Sequence, residues 1–139
     1  MSRFRSHGTV KLDVIDRILV VEGVGPWNVE ALMSAATLAS PIIKQLSGRV
    51  WGALVVLYGE PIYVPEAASY LSKAIRAEKI MGRAATAVII MESKSPEFAK
   101  THLNQIYHNA GETVRFFEDR VEANWWLIQQ ISQHDLLNA

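Results

Sequence analysis

Residues 51–58 read WGALVVLY, and residues 85–91 read ATAVIIM. Both runs are short, almost wholly apolar and rich in β-branched residues, the pattern of strands covered on both faces. Strands of that kind belong to sheets with helices packed over them, so the flanking segments should be helical. Downstream of the first run a turn at Gly59-Glu60-Pro61 leads to a helix opened by Pro65 and Glu66. Ala67, Tyr70, Leu71, Ala74 and Ala77 share one face of it, and Gly82 ends it. After the second run, Ser95-Pro96-Glu97 supplies an N-cap, a first-turn proline and a first-turn acid. Ala99, Leu103, Ile106 and Ala110 then make an apolar stripe, stopped at Gly111.

The same reading extends to both ends of the chain. Residues 9–13, TVKLD, alternate weakly, and residues 17–23, RILVVEG, are β-branched, which predicts an antiparallel hairpin. Pro26 and Asn28 open a helix carrying Leu32, Ala36, Ala39, Ile43 and Leu46, closed by Gly48. Pro41 inside it removes a backbone donor and predicts a bend. Residues 113–118 form the last strand. Asp119 and Glu122 have capping-box spacing before a helix through Trp126, Leu127 and Ile131. The order is ββαβαβαβα: an α/β fold with a mixed, mostly parallel sheet of about five strands and about four helices. It is expected to form a single domain over residues 1–139 with short flexible ends.

Composition narrows the function classes. Half of the 139 residues are apolar, which suits a compact core and argues against general disorder. Fourteen basic residues balance fourteen acidic ones, which argues against nucleic-acid binding through phosphate neutralisation. With no cysteine, thiolate and disulfide chemistry are excluded. The N-terminal stretch MSRFRSHGTVKLDV lacks the apolar core of a secretory signal, and no run approaches the ~20 apolar residues of a membrane span. A cytoplasmic protein without integral membrane association is the expectation.

Chemistry-bearing motifs are sparse. His7, His102, His108 and His134 are scattered without ligand spacing, so no metal site is expected. Gly23-Val24-Gly25-Pro26 lacks the third glycine of a dinucleotide loop and the Lys-Ser/Thr of a P-loop, and reads as a tight turn. Asp13, Asp16, Glu22 and Glu60 fall near strand ends, but no spacing selects a catalytic pair, and no nucleophile elbow occurs. These absences predict a protein with no catalytic residues and no cofactor, rather than an enzyme.

Two surface features stand out. Lys73, Arg76, Lys79 and Arg83 fall within about a third of the circumference of the second helix, a solvated basic face or a contact for an anion or acidic partner. The last helix carries two apolar stripes. Ala123, Trp126, Leu127 and Ile131 should face the sheet, which leaves Val121, Trp125 and Ile128 roughly opposite. That second stripe predicts an interface, with a second copy in a homodimer or with an unidentified protein partner, unless Phe4 or Leu136 and Leu137 fold back over it.

The C-terminal FFEDRVEANWWL, together with the element order, resembles the SpoIIAA-like family of small bacterial proteins. The matching positions are Phe117, Glu118, Glu122, Ala123, Trp126 and Leu127, and the resemblance covers about residues 8–133. It implies the STAS fold of anti-sigma factor antagonists, a fold also grouped with CRAL-TRIO-type lipid-binding domains. Phosphorylated STAS domains carry an Asp-Ser-Ser/Thr-Gly segment after the central strand. Here that segment reads GEPIYVPE, and no serine or threonine occurs from Gly52 to Ala68. A serine phosphoswitch is therefore not expected. The resemblance implies a non-enzymatic interaction or regulatory module. Its lipid-binding relatives suggest instead a carrier or sensor of a small apolar ligand. Tyr58, Glu60, Ile62, Tyr63 and Tyr70, at the carboxyl end of the central strand, would then line a cleft.

Overall fold

The structure, a computed structural model, describes residues 9–137, so His7 and Phe4 lie outside the described residues. A two-residue turn joins β1 (Thr9–Ile15) to β2 (Ile18–Val24), with Asp16 at a positive φ of 54° that short polar side chains tolerate. The remaining elements are α1 (Val29–Leu46), β3 (Trp51–Tyr58), α2 (Pro65–Ile80), β4 (Arg83–Met91), α3 (Pro96–Asn109), β5 (Thr113–Phe117) and α4 (Arg120–Leu137). The order is the expected one. The strands lie side by side in chain order, β1-β2-β3-β4-β5, antiparallel at the first pair and parallel thereafter.

That monotonic order determines the layers. Each parallel connection moves one strand further in the same direction, and right-handed crossovers then place every connecting helix on the same face. Accordingly α1, α2 and α3 pack together over Val10, Ala53, Val55, Leu57 and Val88. The opposite face, with Val20, Leu54, Val56, Ala87 and Ile89, is covered by α4 through Ala123, Leu127 and Ile131. Gly52 lets this helix come close: a Cβ there would lie 3.2 Å from Leu127 Cδ2 and 3.5 Å from Ile131 Cδ1. β3 is buried along almost its whole length, as a strand sandwiched between two helix layers must be.

Local chemistry at the helix ends departs from expectation at Ser95. Asn28 caps α1 as its residue type predicts, accepting from the Ala31 N–H at 2.8 Å, and α1 then runs unbroken with Pro41 inside it. Ser95 occupies the N-cap position of α3 but makes no side-chain cap; its own N–H donates to Ser93 Oγ at 3.1 Å. Asp119 accepts from the Val121 N–H at 3.1 Å at the start of α4.

One irregularity positions the most polar part of the core. At the start of β4 the register shifts, so that Trp51 pairs with Arg83 and Gly52 with Ala85. Ala84 and Ala85 consequently both face α4. This bulge turns Arg83 onto the opposite face, beside Trp51 and Thr86. Gly82 precedes it at φ 112°, where a Cβ would come within 2.4 Å of the Arg49 carbonyl oxygen.

Candidate functional site

Arg83 was expected on the exposed basic face of the second helix. It instead begins β4 and is buried, because the chain leaves the helix before Gly82 and the bulge directs the side chain inward. Its Nε donates to Glu112 Oε2 at 2.9 Å, its Nη2 to Thr86 Oγ1 at 2.7 Å and its Nη1 to Glu78 Oε1 at 2.7 Å. Glu112 has a side chain with 0% exposure and also receives Lys79 Nζ at 2.7 Å and the Thr86 hydroxyl at 2.6 Å. Burial alone would push the Arg83 guanidinium down, but the facing Glu78 and Glu112 carboxylates hold its pKa above the usual arginine value. Arg76 Nη2 donates to the Asn109 carbonyl, and Lys73 is exposed. The expected strip is thus divided among an internal ion cluster, a helix-end contact and solvent.

Beside this cluster lies a cavity of about 120 Å³. Its floor is the sheet face at Leu12, Val21, Val55 and Leu57, and its walls are α1 and α2. The space exists because Ala35, Ala36 and Ala39 on α1 face Ala74 on α2, where larger side chains would close the gap. Glu78, Arg83 and Tyr107 add polar groups to the lining, and Trp27 and Tyr63 line it as well. Ala36 and Tyr70 also line a surface groove with Met33, Thr37, Ser40 and Pro41, which places the mouth between α1 and α2.

Of the five residues expected to line a cleft, the structure brings Tyr63 and Tyr70 to this cavity. Tyr58 lies on the other face, packed near Phe117 and Trp126, with its hydroxyl donating to Glu22 Oε1 at 3.3 Å. The same carboxylate oxygen receives Arg120 Nη2 at 2.7 Å. Glu60 joins two loops at the carboxyl ends of the strands, accepting from Ser93 Oγ at 2.7 Å and the Lys94 N–H at 2.6 Å. Those two hydrogen bonds, the backbone one first, hold its carboxyl below the usual range. Ile62 is exposed. Strand alternation separates these side chains: Tyr58 falls on the α4 face, and the chain turns away at Gly59, whose φ is 78°.

Nothing in the sequence signalled Glu112 or Tyr107 as part of a site. Burial pushes the Tyr107 phenol up to about 12; Arg83 opposes the shift, and Glu112 and Glu78 add to it. Burial, followed by the nearby Tyr107, also raises Tyr63 well above the ordinary phenol value. Both groups stay protonated in the fold at a pH where an unfolded chain releases its phenol protons, near 10. Stability should therefore be complete below about pH 10 and fall as pH rises towards 12, with Tyr107 accounting for on the order of 2 to 3 kcal/mol. Denaturation curves at about pH 9 and about pH 11 should show the decline, and Tyr107→Phe should flatten it. An unchanged slope in that variant would rule out Tyr107 as a source.

The aromatic ladder next to the cavity stacks Trp27 on Tyr63 with ring centroids 6.1 Å apart. His102 lies 6.1 Å from Tyr63 and 6.4 Å from Phe98. The Trp27 indole N–H and His102 Nε2 are buried and have no hydrogen-bond partner among the described residues. His108 and His134 lie elsewhere, on α3 and α4. Among the described residues no three potential metal ligands converge, and no helix is long and apolar enough to cross a membrane.

On α4, Ala123 and Leu127 are fully buried while Val121 and Trp125 are each 63% exposed and Ile128 is 48% exposed. Leu136 and Leu137 are themselves exposed and do not cover the stripe. The helix therefore presents the two faces that its sequence describes. No protein-family model matches the chain, and no curated protein or solved structure matches it.

Proposed function

We propose that this chain is a non-enzymatic interaction module of the SpoIIAA-like, STAS-fold type, acting in the cytoplasm and self-associating through the outer face of α4. The supporting observation is the exposed stripe Val121, Trp125, Ile128, Ser132 and Leu136. Its spacings of four, three, four and four residues keep it on one side of the helix, and none of its members is charged. An uncharged stripe suits a two-fold interface, in which the same surface meets its own copy and like charges would oppose each other. Trp125 is the natural anchor, since a large aromatic at the centre of a small interface carries a disproportionate share of the binding energy.

Light scattering coupled to size exclusion at micromolar concentration should show a dimer. Trp125→Ala should weaken dimerisation at least 30-fold, corresponding to the roughly 2 kcal/mol of a hot-spot residue. A monomeric wild type, or a dimer indifferent to Trp125→Ala, rejects the interface. A second reading, a carrier or sensor of a small apolar ligand, is favoured by the cavity that Tyr63 and Tyr70 help to line.

A further inference from the structure

We infer that the cavity between α1, α2 and the sheet is a binding site for a small uncharged molecule of single-ring size with one hydrogen-bonding group, held by the Arg83–Tyr107 part of the lining. The inference rests on the ligand-carrier reading and adds to it a size limit and a chemical class. Size comes first. An apolar cavity of about 150 Å³ takes benzene and stays dry when empty, so about 120 Å³ suits one ring or a short branched chain and excludes a long acyl chain.

Polarity narrows the class further. A guanidinium carries five N–H donors, and the bonds to Glu112, Thr86 and Glu78 use Nε and one donor from each Nη. One donor on each Nη remains beyond those bonds, and the Tyr107 hydroxyl lies within hydrogen-bonding reach of Arg83. Tyr107 lines the same space, and so does Trp27, whose buried indole N–H has no partner among the described residues. An apolar core has no use for an unmatched donor such as the Trp27 N–H, whereas a ligand hydroxyl or carbonyl would accept from it and extend the hydrogen bonding of Arg83 and Tyr107. Charge selects against an anion. Arg83 and Lys79 are already balanced by Glu78 and Glu112, and Glu78 itself lines the cavity, where an incoming carboxylate would meet it.

Four probes at pH 7 test this by calorimetry or protein-observed NMR: p-cresol, toluene, benzoate and laurate. p-Cresol should bind at least fivefold more tightly than toluene, and benzoate and laurate should not bind. Tyr107→Phe should bring p-cresol down to the affinity of toluene while leaving toluene unchanged. Ala36→Leu, or Ala74→Leu from the opposite wall, should weaken p-cresol at least tenfold with the melting temperature kept or raised. Binding of none of the four probes overturns both the carrier reading and this inference. Equal binding of toluene and p-cresol that both wall variants abolish keeps the carrier reading and overturns the assignment of a polar group. Binding of p-cresol that survives both folded wall variants overturns the location, and tight binding of laurate overturns the size limit.

Discussion

Replacing Arg83 with methionine should lower the unfolding free energy by about 3 to 5 kcal/mol, the usual loss when one partner of a buried ion pair is removed. The aliphatic stem survives the substitution, so packing against Trp51, whose ring centroid lies 5.9 Å from the guanidinium carbon, is largely kept. What is lost is the positive charge between Glu78 and Glu112. Glu112 has no exposure of its own and would retain Lys79, the Thr86 hydroxyl and the Thr113 N–H, with Lys79 as its one remaining cation. Pairing the change with Glu112→Leu should recover part of the loss, since the stranded carboxylate is then gone and the two sites are directly coupled. Urea denaturation of the two single variants and the double variant measures that coupling. A single-variant loss below about 1 kcal/mol, or strict additivity in the double variant, would show that the cluster does not act as a unit.

Leu127→Ala should cost about 3 to 5 kcal/mol, in the range of fully buried leucines whose surroundings close only partly over the space left behind. Leu127 is the largest fully buried side chain of α4, in the cluster with Leu54, Val56 and Ala87 and seated against Gly52. One position further along, Ile128→Ala removes an exposed side chain and should leave the monomer's stability within about 0.5 kcal/mol. Chemical denaturation of both variants at a protein concentration that keeps the chain monomeric separates the two faces of the helix. Equal losses from both positions would mean that α4 is seated differently on the sheet.

The fold was legible because its signals are local and periodic. Almost wholly apolar, β-branched runs at 51–58 and 85–91, separated by a helix with Pro65 at its start, leave few alternatives to parallel strands and a crossover. The opposed stripes of α4 were legible for the same reason, since Leu127 and Ile128 fall on different sides of any helix. Arg83 was not. Its inward placement depends on a bulge, an event in the pairing of two strands that single-chain periodicity does not register. Glu112 precedes β5 without any pattern around it, and its burial follows only from the meeting of α2, β4 and β5. The cleft residues were half legible. Tyr63 and Tyr70 come to the cavity, while alternation sends Tyr58 to the other side and Glu60 closes a loop. The cavity itself arises from alanines on two different helices, each of which reads alone as an ordinary helix former.

The layering also sets an order of events during synthesis. Three helices are threaded between successive strands, so each covers its side of the sheet as the next strand arrives. The other side, with Val20, Leu54, Val56 and Ile89, has no cover until α4 has been made, after all five strands. At roughly 5 to 20 residues per second, the 18 residues of α4 take about one to four seconds to add. Through that interval the nascent chain carries a nearly complete sheet with one oily face open to water, the stage at which a ribosome-bound chaperone would find the most to hold.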